Sequence, residues 1–123
     1  MKPRVNRSKS FKDWYQDLSS KDQGIVDTRI DTYRDTGNLV RSKLLNKDFA
    51  LYEFKWDSGL RVYFSMIEDN DGNLMLLLVG GNKNTQSKDI AQAKKIVLEA
   101  VTSIKSKGKK ASKVIVPKGK RHE

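Results

Sequence analysis

The chain has 123 residues, a formal net charge of +10 and no cysteine. That length suits one domain able to bury about two-thirds of the surface its unfolded form exposes, and the missing cysteine excludes a disulfide frame and thiolate chemistry. No apolar window approaches the roughly 18 residues a bilayer span needs, and the basic N-terminus is not followed by the apolar run of a secretory signal, so a cytoplasmic protein with no membrane partner is expected.

The charge is unevenly placed. Residues 105–123 carry Lys105, Lys107, Lys109, Lys110, Lys113, Lys118, Lys120 and Arg121 against Glu123 alone. We therefore divide the chain into a domain over 1–104 and a flexible basic tail over 105–123. Such a tail is either a solvated end or a polyanion-binding extension whose contribution weakens with salt.

In chain order, Arg4–Arg7 is a possible edge strand. Ser8 or Ser10 can cap a short helix whose apolar side is Phe11, Trp14, Tyr15 and Leu18, spaced i, i+3, i+4 and i+7. Ser20 with Gln23 reads as a capping box, with Asp22 in the first turn, opening a second helix to about Asp35 that buries Val26, Ile30 and Tyr33. Gly37 stops it in the left-handed conformation. Residues 38–48 carry Arg41, Lys43 and Lys47 and show no clear period. From Ala50 the period becomes two, with Ala50, Tyr52, Phe54 and Trp56 on one face and Leu51, Glu53 and Lys55 on the other.

Asp57-Ser58-Gly59 reads as a three-residue hairpin loop with Gly59 left-handed. The register then pairs Lys55 with Arg61, Phe54 with Val62, Glu53 with Tyr63 and Tyr52 with Phe64; a two-residue loop would mix the faces. Like charges directly opposite cost up to about 1 kcal/mol, so Lys55 and Arg61 either share a phosphate or reach apart into water with Glu53 damping the repulsion. Asp69 to Gly72 is a turn signal; its Asp-x-Asp-Gly lacks the other ligands of a calcium loop. Leu74–Val79 is apolar at every position and reads as a strand covered on both faces. The cover is a last helix capped by Thr85 or Ser87, with Asp89 in its first turn and a stripe of Ile90, Ala93, Val97, Ala100, Val101 and Ile104. Val114 to Val116 could add a short strand or dock on a partner.

The only histidine is His122, so no Ser-His, Cys-His or zinc constellation is available. Gly80-Gly81 before a helix start either closes the strand by a bend or exposes amides to a phosphate; the spacing of a Walker loop is absent. Lys55, Arg61, Tyr63 and Lys83, with Glu53 nearby, could bind a phosphodiester. They could also cleave RNA without metal: a base takes the 2′-OH proton, cations stabilise the phosphorane, and an acid protonates the leaving 5′-oxygen.

Glu53-Phe54-Lys55, Gly59-Leu60-Arg61-Val62-Tyr63-Phe64 and Leu76 through Gly80-Gly81-Asn82-Lys83-Asn84-Thr85-Gln86-Ser87-Lys88-Asp89-Ile90 together resemble the RelE/ParE toxin superfamily, in particular its phage-related, HigB-like addiction-module killer branch. The resemblance covers roughly residues 4–104. It implies an α+β fold: a twisted, mostly antiparallel sheet with an N-terminal helical hairpin on one side and a C-terminal helix near the other. It implies a type II toxin that cleaves mRNA on the ribosome, or, as in the ParE arm, inhibits DNA gyrase without catalysis. A degenerate nucleic-acid or antitoxin-binding module is a third outcome. The implied partners are an antitoxin, often of helix-turn-helix type, with mRNA and the ribosome; no cofactor or metal is implied.

By position, the resemblance makes Arg61 the arginine on the scissile phosphate, with Lys55 and Lys83 completing the catalytic set. Tyr63, Lys43, Lys47 and Lys88, with Lys109 and Lys110 of the tail, are assigned to RNA binding. Gln86 and Asp89 match the branch's motif without an assigned chemical role. Lys55 stands where that branch commonly has arginine, which removes bidentate phosphate binding there.

Overall fold

The computed structural model describes residues 3–69, 71–107 and 116–117. Its elements are β1 (Arg4–Arg7), α1 (Lys9–Gln16), α2 (Ser20–Thr36), β2 (Ser42–Asn46), β3 (Leu51–Lys55), β4 (Leu60–Asp69), β5 (Gly72–Asn82), α3 (Gln86–Lys107) and β6 (Val116–Pro117). The sheet order is β1-β5-β4-β3-β2, with β1 parallel to β5 and the other ladders antiparallel. β6 pairs with β4 beyond the end of β3, through Ile67 and Glu68. This is the expected α+β arrangement, with α1 and α2 on one face and α3 on the other.

Alternation along the strands builds two cores. On the α1–α2 side Phe11, Val26, Ile30 and Tyr33 meet Phe54, Val62, Phe64, Met75 and Leu77, with Trp14, Tyr15 and Leu18 packed against them. Complete burial of a side chain such as Phe11, at 0% exposure, stabilises by about 1.5–3 kcal/mol. On the α3 side Leu51, Tyr63, Leu78 and Val79 meet Ala93 and Val97. Ile90 and Val101 of the predicted stripe pack here too; the side chain of Ile104 and the whole of Lys109 and Lys110 lie outside the described residues.

Capping explains where the helices start. Ser8 accepts from the Phe11 amide (3.1 Å) and donates to the Leu78 carbonyl (2.6 Å), which fixes α1 on β5. The cap of α2 is Ser19, not Ser20: the Ser19 hydroxyl accepts from the Asp22 amide at 3.1 Å. Gln23, expected to close a box on Ser20, instead donates to the Tyr15 carbonyl at 2.9 Å and ties the two helices together. Gly37 ends α2 at φ 78°, as its position predicts.

The β3–β4 hairpin has the predicted register in full, from Tyr52 opposite Phe64 to Lys55 opposite Arg61. Gly59 supplies the left-handed residue at φ 108°. The strand expected from Ala50 starts one residue later, because Ala50 turns at φ 49° before the ladder. β2, in the stretch that shows no period, is an edge strand with a register shift between Leu44 and Asn46. A second shift lies between Tyr63 and Phe64, where Leu78 is the extra residue of β5. Leu78 and Val79 therefore both enter the α3-side core, and Gly80 and Gly81 follow on opposite faces.

Candidate functional site

Three neighbouring strands, β3, β4 and β5, converge at the end of the sheet that carries the Asp57-Ser58-Gly59 loop. Lys55 lies opposite Arg61, Arg61 opposite Gly81, and the Lys83 amide donates to the Gly59 carbonyl at 2.9 Å. The three residues assigned to catalysis thus come to one end of the molecule, but in different states. Lys55 and Lys83 are exposed. Arg61 is 9% exposed, and its Nη1 donates to the carbonyls of Trp56 (3.1 Å) and Leu60 (2.9 Å). Its Nε is 3.7 Å from Glu53 Oε2, an ion pair without a hydrogen bond. The like-charge contact across the ladder is therefore relieved from within: Arg61 turns onto a buried carboxylate and the loop carbonyls, while Lys55 stands in solvent.

Glu53 is 3% exposed and is held from above by α3. Gln86, in the first turn of that helix, donates to Glu53 Oε2 at 2.9 Å. This gives the motif glutamine a role that sequence could not assign: it fastens the helix start to β3 through the same oxygen that faces Arg61. Tyr63 lies beneath, fully enclosed, and its hydroxyl makes no hydrogen bond of ordinary geometry. Burial pushes its pKa up to about 12, with the nearby Gln86 amide and Arg61 charge pulling the other way. Tyr63 therefore sits in the α3-side core, with no surface to offer RNA.

Asp89 is also buried, and accepts from the Thr85 hydroxyl. Added Cβ atoms at Gly80 and Gly81 would occupy the space of the Trp14 indole and of Asp89 with Thr85, respectively. The glycine pair is a place of close approach for the protein's own side chains. The following amides are satisfied locally, Asn82 by the Thr85 hydroxyl (3.2 Å) and Asn84 by Asn82 Oδ1 (2.8 Å). The strand does not close in a bend at Gly80-Gly81, as one of the two readings has it: both glycines lie within β5, opposite Val62 and Arg61, and the strand runs on to Asn82.

A groove of about 580 Å³ opens between α2 and the β2–β3 edge, with Arg29, Arg41, Lys43, Lys55, Trp56 and Glu53 in its wall. The Arg29 guanidinium lies 4.4 Å from the Trp56 ring centroid and 5.5 Å from that of Phe54. Sequence patterning does not single out Arg29, since on a helix its spacing says only that it borders the buried stripe. Lys43 belongs to this groove, Lys47 is exposed just past the end of β2, and Lys88 lines a separate depression beside Trp14, Gly80 and Asp89. The residues assigned to RNA binding are not gathered into one surface. Among the described residues, no group of three or more His, Cys, Asp or Glu is arranged to hold a metal ion, and no helix is long and apolar enough to cross a membrane.

No family model matches the chain. It is 32% identical over 98 residues to an uncharacterized protein of Haemophilus influenzae, covering 77% of this chain and 93% of that one. Its fold is similar to that of the E. coli toxin RelE, solved as a mutant in the free state. The TM-score is 0.61 at 14% identity, over 77% of this chain and 97% of the other.

Proposed function

Because the chain belongs to one family with the Haemophilus influenzae protein and has the fold of RelE, we propose that it is the toxin of a type II toxin–antitoxin pair, of the HigB-like branch, acting as an mRNA endoribonuclease. The observation that carries this reading is the convergence of Lys55, Arg61 and Lys83 on one sheet end, with two exposed cations flanking a buried third.

The chemistry asks little of the protein beyond positioned charge. The 2′-oxygen attacks the adjoining phosphorus, the P–O5′ bond breaks, and the products are a 2′,3′-cyclic phosphate and a free 5′-hydroxyl. Lys55 and Lys83 reach the phosphate oxygens from solvent. Arg61 adds its charge from beneath, where a low dielectric strengthens it against the phosphorane. Lys55 also assists at the 2′-oxygen by stabilising its developing negative charge while the proton passes to water, and water protonates the leaving 5′-oxygen. The ribosome presents the message, a helix-turn-helix antitoxin covers the cationic end in the resting cell, and the protein works in the cytoplasm. The basic extension begins past the end of α3 at Lys107 rather than at residue 105, and it adds salt-sensitive affinity for RNA.

The test is induction in growing cells with primer-extension mapping of abundant messages over the first minutes. Cuts at a fixed position within codons, confined to translated regions and lost with Lys55→Ala and Lys83→Ala, are the expected result. Growth arrest with intact messages and damaged DNA would replace the nuclease by inhibition of a protein target such as gyrase. No arrest and no cuts would leave a binding module with a toxin's fold.

A further inference from the structure

The groove between α2 and the β2–β3 edge is more cationic than folding requires. Arg29, Arg41, Lys43 and Lys55 come to it from a helix, a turn and two strands. Among the described residues no carboxylate lies within ion-pair distance of any of the four. Two acids also line it: Glu53, which is buried and committed to Gln86 and Arg61, and the exposed Asp57, which forms no ion pair with any of the four. Like charges are thus held around one cavity without an internal partner.

Two further features mark the groove as built. Arg41 holds φ 56°, a left-handed conformation that costs a non-glycine residue about 1 kcal/mol or more and that accumulates at functional sites. Arg29 is fixed over the half-buried Trp56 and its Nη1 reaches toward the Lys55 carbonyl at 3.5 Å. Burial and the charge of Arg41 both disfavour its protonated form. A guanidinium pinned on an indole beside a second guanidinium offers a flat cationic surface, and cations interleaved with an aromatic platform are the combination that single-stranded nucleic acid uses. An acidic protein segment would use the charge but gain nothing from the platform.

We propose that this groove is a second RNA subsite: it holds the phosphodiester next to the reacting one and stacks the intervening base on the Arg29–Trp56 pair. Lys55 belongs to both subsites, so the chain would run from Lys83 across Lys55 into the groove. The proposal rests on the ribonuclease reading for its substrate but not for its binding test.

The probe is a short 2′-O-methyl oligoribonucleotide, which cannot supply the attacking 2′-OH, titrated against the purified full chain over a range of salt. Each of Arg29→Gln, Arg41→Asn and Lys43→Gln should reduce the slope of log affinity against log salt by about 0.7, and the triple variant should bind at least roughly tenfold more weakly at low salt. The tryptophan emission change on binding should disappear in Trp56→Phe, and circular dichroism controls for folding. An unchanged slope in a folded triple variant would overturn the subsite even if messages are cut in cells. A reduced slope without any cutting in cells would keep the subsite and remove the nuclease. Equal affinity for polyglutamate, with no Trp56 response to RNA, would assign the groove to an acidic protein partner and overturn the proposal.

Discussion

Replacing Glu53 with alanine should destabilise the fold by about 2–4 kcal/mol. The buried carboxylate accepts from Gln86 at 2.9 Å and faces Arg61 Nε at 3.7 Å, and both charged side chains are nearly excluded from water. A hydrogen bond to a charged acceptor contributes about 1.5–3 kcal/mol, and stranding one member of a buried ion pair costs about 3–5 kcal/mol. The upper figure is not reached, because Arg61 keeps the Trp56 and Leu60 carbonyls and its contact with Glu53 is long. Glu53→Gln keeps an acceptor for Gln86 and loses only the charge, so it should cost about 1 kcal/mol. Urea unfolding reads both: with a slope of about 1–3 kcal/mol/M, Glu53→Ala should lower the midpoint by about 0.7–4 M. A double-mutant cycle with Arg61→Ala should return a coupling of about 0.5 kcal/mol or more. An alanine variant within about 0.5 kcal/mol of wild type, the size of an ordinary surface substitution, would refute the idea that this carboxylate joins α3 to the hairpin.

Other expectations concern the glycines and the enclosed phenol. Gly80→Ala and Gly81→Ala should each cost about 1–3 kcal/mol or more by overpacking, whereas Gly24→Ala, with open space around it on an exposed turn of α2, should raise the urea midpoint by an equivalent of about 0.5–1 kcal/mol. Tyr63 holds its proton more tightly folded than unfolded, so its contribution is complete below pH 10.0 and is lost as pH rises toward about 12. Tyr15 and Tyr33 shift in the same direction. Tyr63→Phe should therefore flatten part of the alkaline fall in stability, measured by unfolding at a series of pH values, and an identical fall in both proteins would contradict the burial of that hydroxyl.

The hairpin register was legible because face matching and a glycine at the right offset leave one consistent pairing, and the structure has it residue for residue. β2 was not legible: an edge strand with one open side and a register shift has no reason to alternate. Two adjacent serines stand at the start of α2; Ser19 is the cap, and Gln23 bonds the end of α1 instead of closing a box on Ser20. For the site, sequence could bring Lys55, Arg61 and Lys83 to one end. It could not say which would be exposed, since α3 closes over the sheet and Gln86 fixes the carboxylate that turns Arg61 inward. Tyr63, assigned to RNA binding, is core because it stands on the sheet face that the last helix covers, packed with Ala93 and Val97.

At Gly80-Gly81 the sheet is a single ply of backbone. Trp14 rests on one side of it and the Asp89–Thr85 cap on the other, with no intervening side chain. The two helical layers, insulated elsewhere by strand side chains, touch through the main chain here. A binding partner that lifts the first turn of α3 would loosen the seat of Trp14 on the far side, so this indole can serve as a built-in optical gauge of whether α3 is seated or pried away.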